Sequence, residues 1–293
     1  MDKHNHNSKH IGWTILLNLI ITISEYLGGI FSGSLALVSD AGHNFSDVIS
    51  LILSYFGEKF SERKATTAHT FGFKRVEIFT ALINSLALWA VGAFIMVEAI
   101  ARLNSKENIS IFIMLGVATI GLLGNLISLF VLQKDKDSNL NMKAAYLHLF
   151  YDTISSVAVI ACAVIIYFTG FVILDVIVSI FIALMIFWSG FGIIKSAIHI
   201  FMQGLPEGID FEKVYNTILQ TEGVKSVHGI HIWSINSEEI FLSGHICIQD
   251  TNIDTDSIIK KINGSLEKEY GIRHTTLQIE KTDLCNTGVI CNK

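Results

Sequence analysis

Six long apolar runs, separated by short polar stretches, fill most of the first two hundred positions: 11–31, 35–57, 76–100, 110–132, 142–168 and 172–200. A bilayer core takes roughly 20 helical residues to cross, so each run is long enough to span one. After Gln203 the pattern changes abruptly to Pro206, the only proline, then a charged stretch and short segments of alternating polarity. A water-exposed domain therefore starts near Gly204-Leu205-Pro206. Its periodicity predicts helix over 211–220 (FEKVYNTILQ), strand over 224–235 (VKSVHGIHIWSI), strand over 239–248 (EIFLSGHICI), helix over 256–270 (DSIIKKINGSLEKEY) and strand over 274–280 (HTTLQIE), an αββαβ order. The chain thus reads as an α-helical membrane protein: a tail at 1–10, six transmembrane helices within 11–203, and an α+β domain at 204–293.

Composition agrees with lipid as part of the solvent. Of 293 residues, 51% are hydrophobic and 16% charged, against about a quarter charged in soluble domains. The first run is too long for the apolar core of a signal peptide and is interrupted by Asn18 and Glu25, so it is expected to remain as helix one. Orientation follows from Lys and Arg. Lys59, Arg63, Lys64, Lys74 and Arg75 follow helix two, and Lys134, Lys136 and Lys143 follow helix four, whereas the opposite side has only Arg102 and Lys106. That bias predicts a multi-pass protein of the cell membrane with both termini in the cytoplasm. A net charge of −5 and the lack of a basic stripe exclude nucleic acid as a partner. The four cysteines, Cys162, Cys247, Cys285 and Cys291, fall in helix five or the cytoplasmic domain, where no disulfide is expected.

The candidate chemistry is a repeated spacing. Helix two contains SLALVSDAGHNFSD, with His43 and Asp47 four apart, and helix five contains AAYLHLFYD, with His148 and Asp152 four apart. Each pair shares one helical face. Ionisable groups at membrane depth cost several kcal/mol unless paired or bound to an ion. Satisfied interhelical hydrogen bonds would explain one such residue; a duplicated pair points to a site. Two imidazoles and two carboxylates supply the four N/O ligands of tetrahedral zinc. Asp40, Glu25 and Asn18 either orient those ligands and guide protons or hold packed helices together, and the second reading is favoured.

The segments GSLALVSDAGHNFSD, AHTFGFKRVE, AAYLHLFYD and VHGIHIWSI with the following GHI resemble the zinc-transporting branch of the cation diffusion facilitator family, and the likeness runs over nearly the whole chain. The resemblance implies a homodimer, a ferredoxin-like cytoplasmic domain and exchange of metal for protons. It implies that a histidine at the position of His43 favours zinc, which agrees with imidazole suiting zinc better than harder ions. It also carries His228, His245 and His274 to a cytoplasmic zinc site, with Glu280 as a fourth ligand; solvated strand histidines are the alternative. Cys285 and Cys291 are candidates for additional thiolate ligands across the dimer. His231 shares a face with Trp233 and reads as structural. His69 resembles part of a peripheral metal site, without its other ligands in view. Gln203 stands where relatives have an acidic residue that pairs with the basic position of Arg75. His4, His6 and His10 read as a polar tail, and the linker KDKDSNLN holds no His-rich insert.

The sequence therefore predicts a divalent metal efflux transporter, with zinc as cargo and regulatory ligand, that alternates access and exchanges zinc for protons. Only the neutral imidazole ligates metal, so an incoming proton competes with zinc at the histidines. An enzyme reading, an intramembrane metalloprotease, fails because no HExxH occurs and four ligands leave no position for a catalytic water. A membrane-bound metal sensor without transport would leave the intramembrane pairs without purpose.

Overall fold

A computed structural model describes residues 18–61, 63–103, 108–133, 140–250 and 254–281, apart from the side chains of residues 47, 50, 51, 54, 55, 58, 132, 140–145, 147 and 148. Helix α1 is described over 18–32, and α2 (Leu35–Ser61), α3 (Arg75–Arg102), α4 (Ile111–Gln133), α5 (Leu140–Thr169) and α6 (Ile173–Phe201) follow. Then come α7 (Phe211–Leu219), β1 (Val224–Ser234), β2 (Ile240–Ile248), α8 (Thr255–Tyr270) and β3 (His274–Glu280). Two compact units result, one of Met1–Phe56 with Ala81–Ile194 and one of Gly57–Thr80 with Lys195–Lys293.

The first unit is a helix bundle. Its core, including Leu37, Leu88, Ile95, Met114, Ile166 and Ile186, is interleaved with Ala36, Ala118, Ala163 and Ala183. Small residues let helix backbones approach closely where lipid supplies no hydrophobic drive for association. Large apolar side chains such as Trp188, Phe168 and Phe112 lie exposed on the outside of the bundle, as lipid contact requires. Among the described residues four helices are long and apolar enough to cross a membrane: Arg75–Arg102, Ile111–Val131, Leu149–Thr169 and Ile173–Phe201. The expected six become four by this measure for a physical reason. Helix α2 carries Ser39, Asp40, His43, Asn44, Ser46 and Asp47 through its middle, and the described part of α1, 18–32, is shorter than a membrane span.

One end of the bundle is held by a carboxylate. Gly33 turns the chain from α1 into α2 at φ 73°, and α2 has no acidic residue in its first turn to accept its free N–H groups. Asp175 of α6 does so instead, accepting from Leu35 N–H at 2.7 Å, Ala36 N–H at 3.3 Å and Ser34 Oγ–H at 2.5 Å. Arg102 donates to the Gly33 carbonyl at 2.7 Å, while its Nε donates to Glu98 at 2.8 Å.

The second unit contains the α+β domain in the expected αββαβ order. Asp210 caps α7, accepting from Glu212 and Lys213 N–H, and Gly271 closes α8 at φ 69°. Val214 and Ile218 of α7, with Ile258, Ile262 and Leu266 of α8, repeat at four-residue spacing and so bury one stripe of each helix. Those stripes share a core with Val227, Ile230, Leu242 and Ile246 of the sheet. The strand order is β1-β2-β3, with β1 and β2 antiparallel and β2 and β3 parallel across the α8 crossover. The connection between α2 and α3 belongs to this unit: Lys74 pairs with Glu239 at 2.7 Å, and the Phe71 ring meets Phe241 edge-on at 5.6 Å. At the end of α6, Gln203 takes a left-handed φ of 55°, while His199 Nε2 lies 2.7 Å from the Leu205 carbonyl oxygen.

Replacing Asp175 by Ala removes the acceptor of three hydrogens at once. A loss of roughly 1–2 kcal/mol is expected, the size of a strong helix cap, measured as a lower unfolding temperature in detergent; Asp175→Asn should retain part of it, because one amide oxygen still accepts.

Candidate metal centres

Helices α2 and α5 run past one another so that Ser155 donates to Asp40 at 2.5 Å and His43 Nε2 lies 4.0 Å from Asp152 Oδ1. Three residues forward along α2 are matched by three residues back along α5, the signature of antiparallel neighbours in one register. Continued by one more turn, that register brings positions 47 and 148 to the same level; the side chains of Asp47 and His148 lie outside the described residues. Asp152 is 1% exposed and Asp40 2%, whereas His43 is partly exposed. A cavity of about 170 Å³ explains that difference: His43, Tyr151 and Ser155 line it from α2 and α5, facing Ile182, Met185 and Ser189 of α6. His43 therefore sits at the wall of a small chamber, with Asp152 buried behind it. Ser155 and Tyr151 were not apparent from the metal-ligand spacing. Their signal is positional, three residues after and one before Asp152.

A second cluster forms on the sheet. His228 of β1 pairs in register with His245 of β2, their rings 5.1 Å apart. Glu280 of β3 reaches both: Oε1 lies 2.7 Å from His245 Nδ1, and Oε2 lies 3.4 Å from His228 Nε2. Gln278 donates to Glu280 Oε1 at 3.1 Å and steadies the carboxylate. One nitrogen from each imidazole and one carboxylate oxygen all fall within 4.8 Å of one another, the only such His/Cys/Asp/Glu group among the described residues. Two imidazoles and a carboxylate are a donor set that suits zinc and leave a fourth position open. His228 and Glu280 are buried and His245 is partly exposed.

The backbone makes this cluster through a bulge. Between His228↔His245 and His231↔Ser243 the first strand has one residue more than the second, and Gly229 lies inside that step at φ 59°. A glycine in the left-handed region is the usual first residue of such a bulge. The extra residue shifts the two-residue alternation, so Val227 and Ile230, three apart, both enter the core.

His274 is not brought into this group. In the parallel pairing it stands opposite Phe241, its ring 4.5 Å from the phenyl, while Gln278 is the residue opposite His245. Four strand residues separate those levels, about 13 Å at the usual rise, so within this chain His274 is too far away to join His228 and Glu280 on one ion. His69 packs its ring on Phe73 at 4.6 Å, and His231 is exposed. Cys285 and Cys291, with His4, His6 and His10, lie outside the described residues.

Residues 13–202 match the cation efflux transmembrane domain, and residues 206–282 match the cytoplasmic domain of cation efflux proteins. The chain is similar to the cadmium, cobalt and zinc/H+-K+ antiporter of Bacillus subtilis, 39% identical over 285 residues that cover 94% of this chain and 91% of the relative. It is also similar to the zinc transporter ZitB of Pectobacterium atrosepticum, 33% identical over 285 residues and covering 94% and 88%. A solved structure, the metal-bound C-terminal domain of the CzcD transporter from Cupriavidus metallidurans, aligns at 33% identity with 25% of this chain and 99% of its own, with a TM-score of 0.24.

The arrangement on the sheet makes two substitutions differ. Glu280→Ala should lower zinc affinity of the full-length protein by about tenfold or more, since it deletes the oxygen that approaches both imidazoles. His274→Ala should leave that affinity within about twofold, because its ring lies beside Phe241. Zinc titration calorimetry in detergent reads both.

Proposed function

The chain belongs to the cation efflux family, the cation diffusion facilitators, and from that premise we propose that it carries zinc and related divalent ions out of the cytoplasm in exchange for protons. Transport of metal cations is what its relatives are named for. The observation that carries the reading to particular residues is the approach of His43, which lines a cavity, to the buried Asp152 on the neighbouring helix. A His and a carboxylate that face each other inside a membrane bundle mark an ion pathway by default.

In this reading His43, Asp47, His148 and Asp152 form the transport site, and the common register of α2 and α5 supports that set. Four N/O donors suit zinc, and imidazole in place of a further carboxylate biases the site against harder ions. Release follows from the same chemistry, because a proton and zinc compete for the imidazole nitrogen. Asp40, fixed by Ser155, stands one turn before His43 and holds the two helices in register.

The remaining assignments are part of this proposal. Helices α1 and α2 cross the membrane with α3–α6, which gives six spans within 11–203, with both termini in the cytoplasm. Residues 204–293 form a cytoplasmic ferredoxin-like domain that joins two copies of the chain as a homodimer. There His228, His245 and Glu280 would hold a regulatory zinc ion. Metal held there, outside the transport ligands, acts through its different affinity for the two conformations.

Asp152→Ala, or Asp47→Ala, should abolish zinc uptake into everted vesicles while the protein remains folded and dimeric; near-normal uptake by either would remove the intramembrane site. His43→Asp should widen selectivity toward cadmium or manganese in competition assays, since a carboxylate replaces the imidazole. Combined replacement of His228, His245 and His274 should weaken zinc sensitivity without eliminating transport.

A further inference from the structure

Glu25 has a place in the bundle that the metal site does not use. It lies on α1, is 0% exposed, and receives one hydrogen bond, from Asn44 Nδ2 to Oε2 at 2.8 Å. Its other oxygen, Oε1, is buried with no hydrogen-bond donor among the described residues. Helix α4 closes over it: a Cβ added to Gly121 would lie 2.1 Å from Oε1. That glycine leaves space for a carboxylate where any side chain would displace it.

The surroundings of this carboxylate are negative. Among the described residues, Asp40 from α2 and Asp152 from α5 are the ionisable groups that act on it. Helix α4 has no titratable residue in its whole length. A carboxylate added to Asp40 and Asp152 in a lipid-embedded bundle, with one amide donor and no basic partner among the described residues, costs several kcal/mol unless a cation accompanies it. Nearby amide oxygens have the same lack. Among the described residues Asn44 Oδ1, on the residue that holds Glu25, is buried without a donor, and so are Asn125 Oδ1, one turn from Gly121 on α4, and Asn18 Oδ1, two turns before Glu25 on α1. Oxygen donors without nitrogen or sulfur suit hard cations rather than zinc, whose imidazole ligand lies on the α2 and α5 seam.

We propose that Glu25 is a binding site for the monovalent cation exchanged against the metal, a proton or an alkali ion, held apart from the zinc ligands. The proposal rests on the antiport reading and names the residue that carries the counter-ion. Binding the cation discharges Glu25, and releasing it restores the charge. Because the two ions are exchanged, their affinities are linked: occupation of Glu25 by the small cation weakens zinc binding, and zinc binding expels it.

The test uses the full-length protein. Zinc calorimetry in buffers of different ionisation enthalpy counts protons released per zinc, and repetition over a range of K+ concentrations counts K+ displaced. If the ion is a proton, Glu25→Gln releases about one proton fewer per zinc than the wild type. If it is an alkali ion, the proton count is unchanged and the K+ dependence of zinc affinity disappears. In either case zinc flux driven by the matching gradient in proteoliposomes falls by about tenfold or more, while zinc still binds. Gly121→Ala, which crowds Oε1 and keeps the carboxyl group, shifts the same readouts in the same direction, and it decides the matter if Glu25→Gln does not fold. Unchanged proton count and unchanged K+ dependence in a folded variant would overturn the proposal, as would loss of zinc binding together with coupling. A wild-type protein that moves no zinc under either gradient would instead overturn the antiport reading beneath it.

Discussion

A charge buried among apolar helices has to be compensated, and most of the bundle's polar geometry follows from that requirement. Asp175, Asp152, Asp40 and Glu25 are all buried, and each meets the cost in a different way. Asp175 accepts from the N-terminus of α2, where the free N–H groups and the helix dipole both favour a negative charge. Asp40 takes the hydroxyl of Ser155. Asp152 stands 4.0 Å from His43 across the α2 and α5 seam. Glu25 has one amide donor and an oxygen over Gly121. Asp175 is thus satisfied largely by backbone, whereas Asp40 and Glu25 meet side-chain donors from other helices.

The two metal centres are built by different means. In the bundle, helical spacing places donors on one face and the α2 and α5 register presents two faces to each other, so a shift of one residue in either helix would separate them. On the sheet, the donors come from three strands, and the Gly229 bulge lets the core-facing alternation and the His228↔His245 pairing coexist. Either centre is therefore sensitive to backbone register more than to the identity of its neighbours.

Much of the fold and part of each site were legible in the order of residues. Apolar runs mark long helices because lipid imposes length and composition together, and the αββαβ order of the last domain follows from two periodicities, of about 2 and 3.6 residues. The HxxxD pairs were visible because residues four apart share a helical face whatever surrounds them. Legibility ended where contacts run between elements. That Glu280 rather than His274 joins His228 and His245 depends on the β2 and β3 register, which no local pattern encodes. The partner of Glu25 was equally hidden: Asn44 is nineteen positions away and Gly121 lies on another helix.

By itself the sequence determined which stretches are helices or strands, that lipid surrounds the long ones, and which residue types are available to bind metal, because those properties belong to neighbours within a turn or two. Tertiary structure alone decided the depth to which each carboxylate is buried, the donor that each one meets, and the three strands that bring one acid and two imidazoles within reach of a single ion. The physical reason is that burial and electrostatic compensation are set by what packs opposite a residue, and the identity of that opposite residue is decided by helix register and strand pairing across long separations in the chain.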